Sequence, residues 1–176
     1  MPIMNDSIVT EEGMLPMTHI TWNDAEAFTK KLNKLTGLPF SLPTEAQWEY
    51  AAAGGESYPY AGSDNIRDVA YYASNANERL HPVGEKRENG FDLYDMSGNA
   101  AEWCTDWMSR YENTRVTDPQ GPAENPGHHK KIVRGGSYLA TNVIWTFAIV
   151  AYRLTIHSEP HIGFSVWYIN PIAITL

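Results

Sequence analysis

Both firm helix signals of this 176-residue chain fall in its first third, and that restricts the fold more than any other feature. Thr21-Trp22-Asn23-Asp24 is a capping box: the threonine hydroxyl takes an amide of the first turn, and the aspartate three residues on reaches back. Ala25, Phe28, Leu32 and Leu35 then recur at helical spacing, which predicts a buried apolar face, and Gly37 ends the run. Thr44 opens a second box with Gln47 at the reciprocal position, and Gly54-Gly55 stop that helix. From Glu56 to Gly90 the chain is rich in Tyr, Asn, Gly and Ser and reads as ordered loop. Asn89-Gly90 and Ser97-Gly98-Asn99 are turn signals, and Asp118–Gly127 is a surface loop. Short strands are expected around Ser7–Thr10, at Glu102–Trp107, Lys131–Arg134, Trp145–Arg153 and Gly163–Ile169. Two early helices, a loop-rich middle and late short strands predict an α+β fold with antiparallel strands near the C-terminus. No repeat or linker divides the chain, so residues 1–176 read as one domain.

Charge and cysteine content exclude several function classes. The formal net charge is −8, and basic runs such as Lys130-Lys131 are no longer than two residues, so nucleic-acid binding is not expected. One cysteine, Cys104, rules out an intrachain disulfide framework. No basic-then-apolar leader follows Met1. The stretch from Gly135 to Tyr152 carries no charge, yet its continuous apolar part, Val143 to Tyr152, is about half of the ~20 residues a membrane helix needs. A membrane span is therefore not expected.

Four segments carry a family resemblance. They are HITWNDAEAFTKKLN, LPTEAQWEYAAAGG, NGFDLYDMSGNAAEWCTDW and VRGGSY with the later AYR and IGF. Together they resemble the formylglycine-generating enzyme, or sulfatase-modifying factor, branch of the C-type lectin fold. In that family Gly135-Gly136 would supply positive φ or close backbone approach. Trp48, Trp103 and Trp107 would bury large area, each indole N–H needing an acceptor. Arg153 would be a buried cation, with Glu49 and Glu102 as candidate partners.

The resemblance to the enzyme stops at its chemistry. The family works through two cysteines after the Gly-Gly-Ser segment, and alignment without a gap puts those positions at Ala140 and Trp145. Neither carries sulfur, so thiolate and copper chemistry are not expected there, and no catalytic residue is assigned. Cys104, beside two tryptophans, reads as a small buried hydrophobe. His157 and His161 have a metal-pair spacing, but Pro160 between them prevents a shared helical face. Calcium is a cofactor the resemblance allows. It would use Asp95 and Glu102 side chains with carbonyls of Met96, Gly98 and Ala100; the alternative is a turn held by Asp95 and Asn99, with Glu102 paired to an arginine.

The segment from Leu139 to His161 mixes framework residues with a second set that follows no strand period. That set comprises Leu139, Ala140, Thr141, Asn142, Val143, Ile144, Thr146, Phe147, Ile149, Val150, Leu154, Thr155, Ile156, His157, Ser158 and His161. The pattern is similar to a second group of the same fold, the variable proteins diversified by retroelements. There an error-prone reverse transcriptase rewrites the end of the gene between the RGGS and IGF motifs. What this implies is a non-catalytic binding protein, displayed at a cell surface. Its ligand surface would lie within residues 134–169 and bind a protein or other macromolecule whose identity no motif encodes. Phe147, Ile149, Leu154 and Ile156 would be anchors, with Thr141, Asn142, Thr155, His157 and Ser158 as adaptable hydrogen-bonding groups. The competing readings are an oxidase of the formylglycine-generating type, a fixed assembly domain, and, for residues 143–150, simple core.

Overall fold

A computed structural model describes residues 11–111, 113, 115–141, 151–155, 158–163 and 167–168. After a 3-10 turn at Glu11–Met14 come α1 (Trp22–Thr36), β1 (Phe40–Ser41), α2 (Glu45–Ala53) and a single turn, α3 (Ile66–Val69). The strands β2 (Ala101–Trp107), β3 (Lys130–Arg134), β4 (Ala151–Leu154), β5 (Ile162–Gly163) and β6 (Trp167–Tyr168) follow. The order β4-β3-β2-β5 makes one sheet, antiparallel except for the parallel β2–β5 pair. β1 and β6 form a separate antiparallel pair, Phe40 opposite Tyr168 and Ser41 opposite Trp167. This is the α+β architecture the sequence predicts. The expected Gly163–Ile169 strand divides into β5 and β6, which serve different sheets. The expected strand at residues 7–10 lies outside the described residues, as does the part of Trp145–Arg153 before Ala151.

Both helices start and stop where their chemistry places them. Thr21 and Asp24 form the first reciprocal box, Thr44 and Gln47 the second, and Gly37 and Gly54 close the helices in the left-handed region. The buried face of α1 differs from the expected one. Ala25 and Thr29 are buried, whereas Phe28 is 47% exposed and Leu35 74%. The reason is that α1 docks through polar and aromatic groups rather than an aliphatic stripe. Trp22 Nε1 donates to the Cys104 carbonyl at 2.9 Å, and Asn33 exchanges two hydrogen bonds with the Phe40 backbone. The row Trp22, Ala25, Thr29, Asn33 therefore sets the helix rotation.

Two apolar clusters flank the sheet. Trp48, Ala51, Ala52, Ala61, Met96, Cys104 and Ile132 join α2 to one face; Ala25, Leu42, Ala101, Trp103, Val133 and Ile162 join α1 to the other. The alternation of β2 and β3 residues between clusters is the period of a strand buried on both sides. Gly135 lies where a Cβ would sit 3.2 Å from the Trp48 ring, and its φ of +84° is one that side chains resist.

Two buried cations sit at opposite ends of β3. Arg134 donates to Glu45 Oε1 and Glu49 Oε2, both at 2.7 Å, and its guanidinium carbon is 5.2 Å from the Trp48 ring centroid. Of the two acids expected to partner Arg153, Glu49 serves Arg134 and Glu102 Oε2 accepts from Trp48 Nε1 at 2.9 Å; the expected Arg153 pairing itself lies outside the described residues. Lys131 lies between two tryptophans, with Nζ 4.2 Å from the Trp22 centroid and 3.8 Å from that of Trp107, and it donates to the Thr105 carbonyl. The rings supply attraction to the ammonium, but burial dominates and pulls its pKa down to about 8 from 10.5.

Two outcomes are expected from these cations. Arg134→Lys removes the fork that serves two carboxylates at once and should lower urea-unfolding stability by about 2–3 kcal/mol, with unchanged far-UV circular dichroism. The depressed Lys131 pKa means that the unfolded chain binds more protons between about pH 8 and 10.5. Stability should therefore rise with pH across that window, by about 1–3 kcal/mol, and Lys131→Met should abolish that component. A wild-type profile that falls as steeply as the variant's would refute the assignment.

Candidate functional site

The Ser97-Gly98-Asn99 turn frames the start of the C-terminal segment. Gly98 has φ +85°, and a Cβ there would lie 2.3 Å from the Tyr71 carbonyl, so only glycine fits. Its N–H donates to the Gly135 carbonyl at 2.9 Å. Asn99 is 1% exposed and uses its whole side chain: Oδ1 accepts from the His81 N–H and Nδ2 donates to the His81 carbonyl, both at 3.0 Å. The Asn99 carbonyl then accepts the Tyr138 N–H at 2.8 Å. One buried asparagine thus ties the 71–81 loops to the residue that precedes the expected variable set.

From there the main chain stays anchored. Ala140 accepts the Ala73 N–H at 3.0 Å and packs on the buried Ala70 and Tyr72. At the far end β4 pairs with β3, Ala151 opposite Val133 and Leu154 opposite Lys130, and the Thr155 N–H continues to the His129 carbonyl. Of the proposed ligand-facing set, Leu139 is 46% exposed, and Thr141 and Ser158 are exposed. Ala140 and His161 are half-buried, and His161 Nε2 is 3.0 Å from Glu159 Oε2. Thr155 departs from the expectation: it is buried, because it closes the β3–β4 ladder, and does not join an open surface. Leu154 is placed in β4 without a described side chain. Asn142, Val143, Ile144, Thr146, Phe147, Ile149, Val150, Ile156 and His157 lie outside the described residues.

The chain's sulfur chemistry is legible. Cys104 is fully buried within β2, and burial pushes its thiol well above the ordinary range, so no thiolate forms near neutral pH. At Ala140 the structure places a methyl group against an apolar cluster.

The loop expected to suit calcium is partly engaged by protein. Asp95 Oδ2 accepts the Gly84 N–H at 2.8 Å, and Glu102 Oε2 holds the Trp48 indole. Asp95 Oδ1, in contrast, is buried with no hydrogen-bond partner among the described residues, and burial raises its carboxyl above the usual carboxylate range. A bare buried carboxylate oxygen beside a tight glycine turn is what a hard cation would satisfy. Among the described residues no three His, Cys, Asp or Glu side chains converge, so any such ion would rely on carbonyls and water. No described helix is long and apolar enough to cross a membrane.

A second concavity has no forerunner in the sequence reading. Between α2 and residues 106–122 lies a groove of about 1150 Å³, with Tyr50, Trp107 and Tyr111 among its aromatic walls. Its residues come from stretches some sixty positions apart, which no short motif registers.

Comparison with known proteins accounts for this frame. The model of the sulfatase-modifying factor enzyme 1-like domain matches residues 4–166. The formylglycine-generating enzyme of Streptomyces coelicolor is 38% identical over 150 residues, covering 76% of this chain and 45% of that protein. The chain therefore spans less than half the length of that curated relative. Among solved structures, Treponema denticola variable protein 1 superposes with a TM-score of 0.83 at 25% identity, over 93% of this chain and 74% of the other. PvdO from Pseudomonas aeruginosa shares the fold alone, with a TM-score of 0.76 at 24% identity over 87% of this chain and 61% of the other. Because that domain model spans residues 4–166, a range that holds both capping boxes, the Gly98-Asn99 turn and the Arg134 cluster, the chain belongs to the sulfatase-modifying factor enzyme 1-like family.

Proposed function

We propose that this protein is a non-catalytic member of its family, a ligand-binding protein whose C-terminal surface is diversified by a retroelement. The observation that carries the reading is the distribution of fixed and free chemistry around residues 135–163. Framework groups there are held by the main chain or by buried polar partners. The intervening set combines exposed Leu139, Thr141 and Ser158 with a run of uncharged, mostly apolar residues that follows no strand period. The extensive likeness to Treponema denticola variable protein 1 supports the same reading. The absence of sulfur at Ala140 and Trp145, with Cys104 buried as a neutral thiol, weighs against an oxidase that needs thiolates.

In this role the sheet and the Asn99 network act as a rigid frame. Uncharged side chains at the surface set the partner, a protein or other macromolecule, in the manner of a paratope on a fixed scaffold. Display at a cell surface fits such a receptor. Calcium, held by Asp95 with carbonyls of Gly98 and Ala100 and the Glu102 carboxylate, would reinforce the turn that anchors Tyr138 and would have no chemical step to perform.

Sequencing the 3′ end of the gene from many independent cells tests the reading. Variation is expected to crowd into codons 139–161, with Gly135, Gly136, Ala151, Arg153, Gly163 and Phe164 constant; an invariant segment would point to a fixed assembly domain. A metal titration tests the rest. Calcium should raise the melting temperature of the wild type by several degrees and leave Asp95→Asn nearly unmoved, following the mass-action stabilisation of a folded-state ligand. Copper(I) should find no thiol to bind, and stoichiometric binding through Cys104 would favour the oxidase reading instead.

A further inference from the structure

The segment proposed to be diversified falls within residues 133–163, and no described residue of that span lines the groove between α2 and residues 106–122. Its apolar walls include Tyr50, 43% exposed, and Tyr111, 68% exposed, with Trp107 and Ile132 also among the lining residues. Three carboxylates, Glu45, Glu49 and Asp106, line the groove together with Arg110, the one cation among the described lining residues. Arg134 lies behind them, fully buried, and takes one oxygen from each glutamate. Tyr111 donates its hydroxyl to Glu45 Oε1 at 2.6 Å, so that oxygen is doubly used.

Acceptor capacity remains on the other two acids. Asp106 is 5% exposed yet lines the groove; its Oδ2 takes the Glu45 N–H at 2.7 Å and the Thr105 hydroxyl at 3.2 Å. Its Oδ1 receives no hydrogen bond from another described residue, and Gly121 lies over it, where a Cβ would come within 3.0 Å. Glu49 has a half-exposed side chain and gives only Oε2 to Arg134. Lys131, the remaining nearby cation, points its ammonium at Trp22, Trp107 and the Thr105 carbonyl. Carboxylate oxygens with spare lone pairs between exposed aromatic faces suit a cation on an apolar stem. An open groove of about 1150 Å³ exceeds what one small amine fills and has room for a stretch of extended chain.

The geometry points to a second binding site on this protein, in which the groove between α2 and residues 106–122 takes an arginine or lysine side chain of a partner polypeptide. Glu49 and Asp106 receive the cation, and Tyr50 and Tyr111 receive its stem. The site is built from scaffold residues, so it binds the same kind of partner whatever the diversified surface selects.

The test is a nuclear magnetic resonance titration of the full chain with acetyl-Gly-Arg-Gly-amide against acetyl-Gly-norleucine-Gly-amide. The arginine peptide should bind about fivefold more tightly, with shifts confined to α2 and residues 106–122, and added salt should shrink the difference. Glu49→Gln, which keeps an acceptor for Arg134, should erase the preference. Should that variant lose its fold, Tyr50→Ala on the exposed rim should weaken both peptides and arginine more. Equal binding of the two peptides, or shifts centred on residues 135–163, would overturn the proposal without touching the reading of the diversified surface.

Discussion

Arg134 is the point on which the rest of the structure turns. It ends β3, lies beneath the N-terminal half of α2, and holds two successive turns of that helix through Glu45 and Glu49. The two glutamates are four residues apart and so share a helix face. A guanidinium with diverging N–H groups can serve both at once, which a point charge cannot. The tie fixes α2 against the sheet and Trp48 against Gly135, and so determines where the chain leaves β3. Everything C-terminal to Arg134, including the segment read as the ligand surface, starts from that position.

Local chemistry made much of this visible beforehand. Thr21, Asp24, Thr44 and Gln47 announce two helices because capping is satisfied within four residues, and Gly37 and Gly54 end them for equally local reasons. The position of the strands was readable to within a residue for β2 and β3. Long-range pairing was not. Nothing in the sequence says that Glu49 belongs to Arg134 rather than Arg153, because that choice depends on which strand end meets α2. The rotation of α1 was misread for a related reason: Phe28 and Leu35 fit an apolar stripe, but Asn33 and Trp22 make specific hydrogen bonds, and those decide the docked face. A period of apolar residues reports burial only where hydrophobic area is the main contact.

The candidate site was legible as a contrast rather than as a motif. Framework residues such as Gly98, Asn99 and Gly136 each have a steric or hydrogen-bonding reason for their identity. The residues interleaved after Tyr138 show none in the sequence. Thr155 is the exception that the structure reveals, since its burial follows from a backbone ladder that composition does not register. The groove beside α2 escaped notice altogether, for its acids and rings approach one another only after β2, β3 and α2 have packed.

The anchors on either side of the segment proposed to be diversified are main-chain hydrogen bonds. Ala140 is held by Ala73, and Ala151 begins a ladder with Val133. Neither bond depends on a side chain between them. The entropy of bringing those two points together grows only logarithmically with the chain that joins them, about 0.6 kcal/mol for each doubling. That entropic term alone therefore makes insertions and deletions between residues 141 and 150 inexpensive. Under the proposed diversification, a gene that rewrites this region can sample segment length as well as side-chain identity, and so change the reach of the surface along with its chemistry.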